Sequence, residues 1–170
     1  MAKYHHKESD LQIRCVHWFR VTYPAFARLL EHPKNEGNGH TSADRRGQAI
    51  AKAEGVQAGV ADLILHVPSK VHEYHGVHQE EGCPVSSLAI EMKTKTGRQS
   101  PEQKLFQRFF EAAGGMYIII RSFEDFTEHV SRYMNDVDWL VRGNIEELYE
   151  QIQQEATDAA RRELQRIINK

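Results

Sequence analysis

The sequence predicts an α/β domain, and three observations predict it. Short apolar runs of β type, at about residues 61–67, 86–94 and 116–121, are interleaved with stretches whose apolar residues recur at helical spacing. Gly and Pro punctuation separates the two kinds of segment, at Tyr23-Pro24, Gly55 and Gly114-Gly115. The resulting order is helix, strand, strand, helix, strand, which a domain of strands alone or helices alone would not produce.

Each element follows from its own residues. A first helix from about Ser9 to Thr22 carries Leu11, Cys15, Trp18 and Phe19 on one face, with Ser9 and Gln12 placed to cap it and Glu8 just before it. Residues 26–32 read as a short strand or extended segment, and 33–47 as a polar, Gly-containing loop. A helix from about Arg46 to Glu54 ends near Gly55. Strands are expected at 61–67, near 71–77 and at 86–94. Ser100-Pro101-Glu102-Gln103 is a helix start with serine at the N-cap, proline in the first position and glutamine completing a capping box, so a helix runs from Pro101 to Ala113. Met116 to Arg121 is a buried strand. Ser122-Phe123-Glu124-Asp125 opens a further helix to about Met134.

At 170 residues the chain is expected to form one domain with a real core at 1–134, followed by a helical extension at 135–170. No apolar run is long enough to span a bilayer and no signal peptide is visible, pointing to a cytoplasmic, soluble protein. Cys15 and Cys83 form no disulfide or metal pattern, and Cys15 reads as a small core residue. The net charge of −2 is unusual for a nucleic-acid protein, but it is unevenly spread. Residues 1–121 hold 16 Lys and Arg against 13 Asp and Glu, and residues 122–170 hold 6 against 11. Lys95, Arg98, Lys104 and Arg108, with Arg45, Arg46 and Lys52 upstream, are candidate phosphate contacts; the same residues would also serve as a solvated face.

The chemistry sits in the strands. Gly59-Val60-Ala61-Asp62-Leu63-Ile64-Leu65 and Leu88-Ala89-Ile90-Glu91-Met92-Lys93 each carry charge where a buried strand should carry none. Alternation puts Glu91 and Lys93 on one face and Ile90 and Met92 on the other. If Asp62 lies beside Glu91, two carboxylates and an ammonium converge. Such a pair suffices for Mg²⁺ or Mn²⁺, with the Met92 backbone carbonyl as a further ligand and water and substrate phosphate filling the shell. Lys93 can orient the attacking water or offset charge in the transition state. The plainer alternative is a structural ion pair at a strand end.

Glu8-Ser9-Asp10-Leu11-Gln12, His32-Pro33-Lys34-Asn35-Glu36-Gly37, Ala53 to Leu63, Ile90-Glu91-Met92-Lys93 and Ser100-Pro101-Glu102-Gln103 occur in an order that resembles the virus-type replication-repair nuclease (VRR-NUC) branch of the PD-(D/E)xK superfamily, over about residues 5–134. One position departs: the family usually has Pro-Asp where this chain has Ala61-Asp62. The resemblance implies a restriction-endonuclease-like core, a central mixed sheet flanked by helices. It implies metal-dependent cleavage of DNA with Asp62, Glu91 and Lys93 at the centre and Glu8 and Gln103 as accessory residues. Branched DNA such as a four-way (Holliday) junction, in phage or bacterial replication, repair or recombination, is the substrate it suggests. It implies no organic cofactor. The competing class is a degenerate nuclease fold that binds DNA or assembles without cutting.

Two features lie outside that core. His72, His75, His78 and Cys83 raise a zinc alternative, although their spacing matches no finger and an exposed hairpin accounts for them. In the tail, Ile145, Leu148, Ile152, Ala156, Ala159, Leu164 and Ile167 recur at helical spacing. This stripe is expected either to cover its own domain or to pair with a second copy in a homodimer.

Overall fold

A computed structural model describes residues 7–33, 42–70, 73–74, 77–78 and 84–168. Helix α1 (Lys7–Thr22) leads through a 3-10 turn (Pro24–Leu29) into strand β1 (Leu30–Glu31), and helix α2 (Ser42–Ala53) precedes strand β2 (Leu63–Leu65). A two-stranded hairpin, β3 (Glu73–Tyr74) and β4 (Val77–His78), stands between β2 and β5 (Leu88–Met92). Helix α3 (Pro101–Ala112), strand β6 (Met116–Ile120) and helices α4 (Phe123–Asn135) and α5 (Trp139–Ile168) complete the chain.

The main sheet has the order β1-β2-β5-β6 and is mixed: β1 with β2 and β2 with β5 run antiparallel, and β5 with β6 runs parallel. A parallel pair needs a crossover, and α3 supplies it. Alternation decides the faces. Leu88, Ile90 and Met92 join Cys15 and Phe19 of α1 and Phe126, Val130 and Met134 of α4 in the larger core. Ala61, Ala89 and Tyr117 form a smaller cluster on the opposite face, under Phe106 and Phe110 of α3. The sheet is therefore flanked by helices on both sides, the mixed architecture expected from the sequence.

Local boundaries differ in places. Helix α1 begins at Lys7, so Ser9 lies inside the first turn and Glu8 and Asp10 both sit where acidic side chains complement the helix dipole. Residues 24–29 are a 3-10 turn rather than a strand: Pro24 presets the first position and Phe26, 2% exposed, anchors the turn in the core. Helix α2 starts at Ser42, four residues earlier than its apolar pattern suggests, because Ser42 and Asp44 are helix-start residues. Strand β2 is three residues long, shorter than the expected 61–67, and pairs with Leu88, Ala89 and Ile90 of β5. Residues 34–41 of the expected loop lie outside the described residues. So do His72, His75, Cys83 and the side chain of His78, and with them the zinc alternative.

The turn from α4 into α5 is tied to the same core. Val137 is buried there, Val141 and Ile145 pack against it, and the Arg142 guanidinium stands 5.6 Å over the Phe26 ring. Beyond Ile145 the helix runs almost wholly exposed, with Leu148 at 56% and Leu164 at 59%.

Candidate active site

The antiparallel register of β2 and β5 sets Leu63 opposite Ile90, which places Asp62 and Glu91 at the same end of adjacent strands. The Met92 backbone N–H donates to Asp62 Oδ2 at 2.7 Å, fixing the first carboxylate against the second strand. Glu91 is fully buried on the α3 face of the sheet. A bare carboxylate there would cost several kcal/mol, about what burial costs an ion after relaxation. Three donors offset that cost. Lys93 Nζ lies 2.5 Å from Oε1, the Gln103 side-chain amide donates to the same oxygen, and Tyr117 donates its hydroxyl to Oε2 at 3.0 Å. Lys93 is two residues along the same face, as alternation requires, and only 12% of its side chain is exposed.

Gln103 acts through both ends of its side chain. Its Oε1 accepts from the Ser100 N–H at 2.9 Å and its backbone N–H donates to Ser100 Oγ at 3.2 Å, closing the capping box, while Nε2 reaches Glu91. The cap and the contact with the carboxylate are one arrangement. Glu8 enters from α1: its Oε1 accepts from the Thr94 N–H at 2.9 Å, immediately after Lys93. The structure thus gathers Asp62, Glu91, Lys93, Gln103 and Glu8, five residues from four separate segments, around the end of β5.

Electrostatics follow from this crowding. Burial raises the Asp62 carboxyl above the ordinary range, opposed by the Met92 N–H and Lys93 and reinforced by Glu8. Burial likewise raises Glu91, with Asp62 adding to the rise and Lys93 opposing it. Tyr117 is pushed far up by burial and by the adjacent Glu91, so it stays a neutral donor.

This donor set fits a hard divalent cation. Asp62 adds to the rise in the proton affinity of Glu91, and a divalent charge between the two carboxylates would relieve it. Each carboxylate has about four acceptor sites. Among the described residues Asp62 Oδ1 accepts nothing, and Glu91 accepts three bonds. Among the described residues no group of three or more His, Cys, Asp or Glu side chains comes together around a metal-sized point. The set is thus two carboxylates and backbone oxygen, with capacity left for water and phosphate.

Three neighbours were not nominated by the sequence. Tyr117 sits opposite Ala89 across the parallel pair, on the same face as Glu91; a lone phenol in the run Met116 to Ile120 was the available signal. His32 donates from Nδ1 to the Asp62 carbonyl at 2.6 Å, a bond from β1's end that depends on fold alone. Arg121 holds the Thr94 and Gly97 carbonyls at 2.5 and 2.9 Å, shaping the loop after Lys93. Beside the carboxylates a cleft is lined by Glu8, Arg14, Lys93, Lys95, Arg121 and Glu124, with the Arg14 guanidinium 4.7 Å over the Phe123 ring. Among the predicted phosphate contacts, Lys95 lies in this cleft, while Arg98, Lys104, Arg46 and Lys52 are exposed elsewhere. The side chain of Arg45 is outside the described residues.

Among solved structures, one described as "VRR_NUC domain protein" matches with a TM-score of 0.58, covering 77% of this chain and 90% of its own at 17% identity. At that identity the likeness is one of fold, the fold of the family that the ordered motifs resemble. No family model matches the chain, and no curated protein does. Among the described residues no helix is long and apolar enough to cross a membrane.

Proposed function

We propose that this chain is a metal-dependent DNA endonuclease of PD-(D/E)xK type, with branched DNA as the substrate class to test first. The observation that carries the reading is the buried Glu91, bonded to Lys93, beside Asp62 at the end of two antiparallel strands. A structural ion pair needs no second carboxylate, and the crowding of Asp62 against Glu91 costs stability unless it serves a cation.

Asp62, Glu91 and the Met92 carbonyl would hold Mg²⁺ or Mn²⁺, which supplies Lewis-acid polarisation of a phosphate and a lowered pKa for bound water. The chain's own residues do the rest. Lys93 presents an ammonium, held by Glu91, to orient the attacking water or to offset the charge that builds on the phosphate oxygens. Gln103 and Tyr117 hold Glu91 in one orientation, so the carboxylate meets the substrate without reorganising. Glu8 fixes the backbone at Thr94 and with it the direction of Lys93. Lys95, Arg14 and Arg121 put positive charge along the cleft that leads from Lys93, suited to the phosphates flanking the scissile one.

The test is cleavage of duplex, flap and four-way-junction oligonucleotides with Mg²⁺, Mn²⁺ or EDTA. Asp62→Ala or Glu91→Ala should abolish cleavage in folded protein, and Lys93→Ala should abolish cleavage while retaining metal binding by calorimetry. Wild-type rates in any of the three would sink the assignment. DNA binding without cleavage under every metal condition would favour the degenerate scaffold.

A further inference from the structure

Helix α1 is a ridge between two clefts of nearly equal size, about 570 and 580 Å³. Glu8, Leu11 and Arg14 face the one that leads from Lys93. Gln12, Val16 and Arg20 recur every four residues on the opposite side, and with Ile13, His17 and His32 they line the second.

Both clefts meet the candidate catalytic residues at the N-terminal end of α1. On one side Glu8 accepts from the Thr94 N–H at 2.9 Å. On the other the Gln12 amide stands 3.1 Å from His32 Nδ1, and that nitrogen lies 2.6 Å from the Asp62 carbonyl oxygen. The second cleft therefore starts at Asp62 as the first starts at Lys93, with the carboxylate pair between them. From Gln12 to Arg20 it follows α1 for about 12 Å at 1.5 Å per residue, the length of about three nucleotides of one strand at 3.4 Å each.

The lining suits a polyanion. Among the described residues the second cleft presents His17, Arg20 and His32 and no carboxylate, and neither His17 nor Arg20 is held in a hydrogen bond or ion pair. A structural arginine would have a carboxylate to meet, as Arg142 has in Glu146 at 3.6 Å. Ile13, 67% exposed, adds an apolar surface beside the basic side chains on which a sugar or base can rest. Among the described residues no group of His, Cys, Asp or Glu is arranged for a metal, so the histidines are not a cation site.

We infer that the cleft between α1 and His32 carries the DNA strand on the Asp62 side of the scissile phosphate, with His17 and Arg20 on its phosphates. The inference takes the position of the cut from the nuclease reading, and the binding stands without it. A strand gripped on both sides of the cut continues in both directions, so the substrate is an internal phosphodiester and not a strand end.

Binding of a labelled four-way junction to the full chain in Ca²⁺, read by fluorescence anisotropy across a salt series, tests the cleft apart from cleavage. Arg20→Ala should weaken binding about eightfold at 0.1 M salt, the contribution of one released counterion against a 1 M reference, and lower the slope of log affinity against log salt by about 0.9. Lys95→Ala, in the first cleft, should do the same. The double variant should lose about sixtyfold, because separate phosphates contribute independently. Arg161→Ala, 74% exposed on α5 and in neither cleft, is the control and should bind as wild type. Position is read with Cys83 replaced by serine and Cys15 buried: an iron–EDTA reagent tethered at His17→Cys and one at Lys95→Cys should nick the DNA at separate places on one strand. Wild-type affinity and slope in Arg20→Ala, or coincident nicks from the two tethers, overturns the inference and leaves the nuclease reading to its cleavage test. Loss of binding in Arg20→Ala with no cleavage by wild type in Mg²⁺ or Mn²⁺ supports the cleft as a DNA track and removes the nuclease reading; no binding of DNA by wild type overturns both.

Discussion

Gly59 offers a quantitative test of how the site is assembled. Its φ is +82°, and a Cβ built there would stand 2.4 Å from the Glu102 carbonyl carbon, 2.6 Å from its oxygen and 2.7 Å from the Gln103 nitrogen. These are backbone atoms of the first turn of α3, so no side chain can swing aside. To reach ordinary van der Waals contact at 3.4 Å the turn must retreat by about 1 Å. That displacement carries Gln103 away from Glu91, weakening a hydrogen bond to a buried carboxylate that is worth about 1.5–3 kcal/mol. The left-handed backbone adds about 1 kcal/mol for alanine. Gly59→Ala should therefore destabilise the fold by about 2.5–4 kcal/mol, a fall in Tm of about 10 °C for a domain of this size. Gly114 provides the control: its φ is +85° and a Cβ there meets nothing within 4 Å, so Gly114→Ala pays the backbone term alone, about 1 kcal/mol. Urea titration followed by circular dichroism compares the two. Because misplacement by about 1 Å near a catalytic group can cost about a hundredfold in rate, cleavage should also fall far more in Gly59→Ala than in Gly114→Ala. Equal midpoints for the two variants would refute the idea that contact between Gly59 and α3 sets the position of Gln103.

Tyr117→Phe keeps the ring against Phe106 but removes the hydroxyl from Glu91 Oε2, so urea unfolding should show a loss of about 1–3 kcal/mol; an unchanged midpoint would mean that Tyr117 does not support the carboxylate. The pH dependence follows from the raised carboxyls of Asp62 and Glu91, which bind protons more readily folded than unfolded. Their favourable contribution is complete below the ordinary carboxylate range and is lost as pH rises through the raised folded values. In metal-free protein, Asp62→Asn with Glu91→Gln should gain stability relative to wild type as pH rises from about 4 to 8, read as diverging denaturation midpoints; parallel profiles would contradict the crowded pair.

Much of this protein was legible along the chain because the relevant forces act over a few residues. Period-two alternation placed Glu91 and Lys93 on one face, period-3.6 spacing put Cys15 and Phe19 into the core, and Ser100, Pro101 and Gln103 announced the start of α3. Motif order supplied the fold that the structural likeness bears out. What needed the tertiary structure was whatever depends on register between distant segments. Asp62 meets the Met92 N–H across 30 residues of chain, Tyr117 reaches Glu91 across 26, and Glu8 finds the Thr94 N–H across 86. No local period encodes those distances; strand pairing and the burial of both sheet faces select them together. The same limit explains the ends of α1 and α2 and the fate of the tail. The apolar stripe of α5 was visible in the sequence, but how much of it lay on its own domain was decided by the tertiary structure, in which Val141 and Ile145 pack against the core and Leu148, Ile152, Leu164 and Ile167 beyond them are exposed.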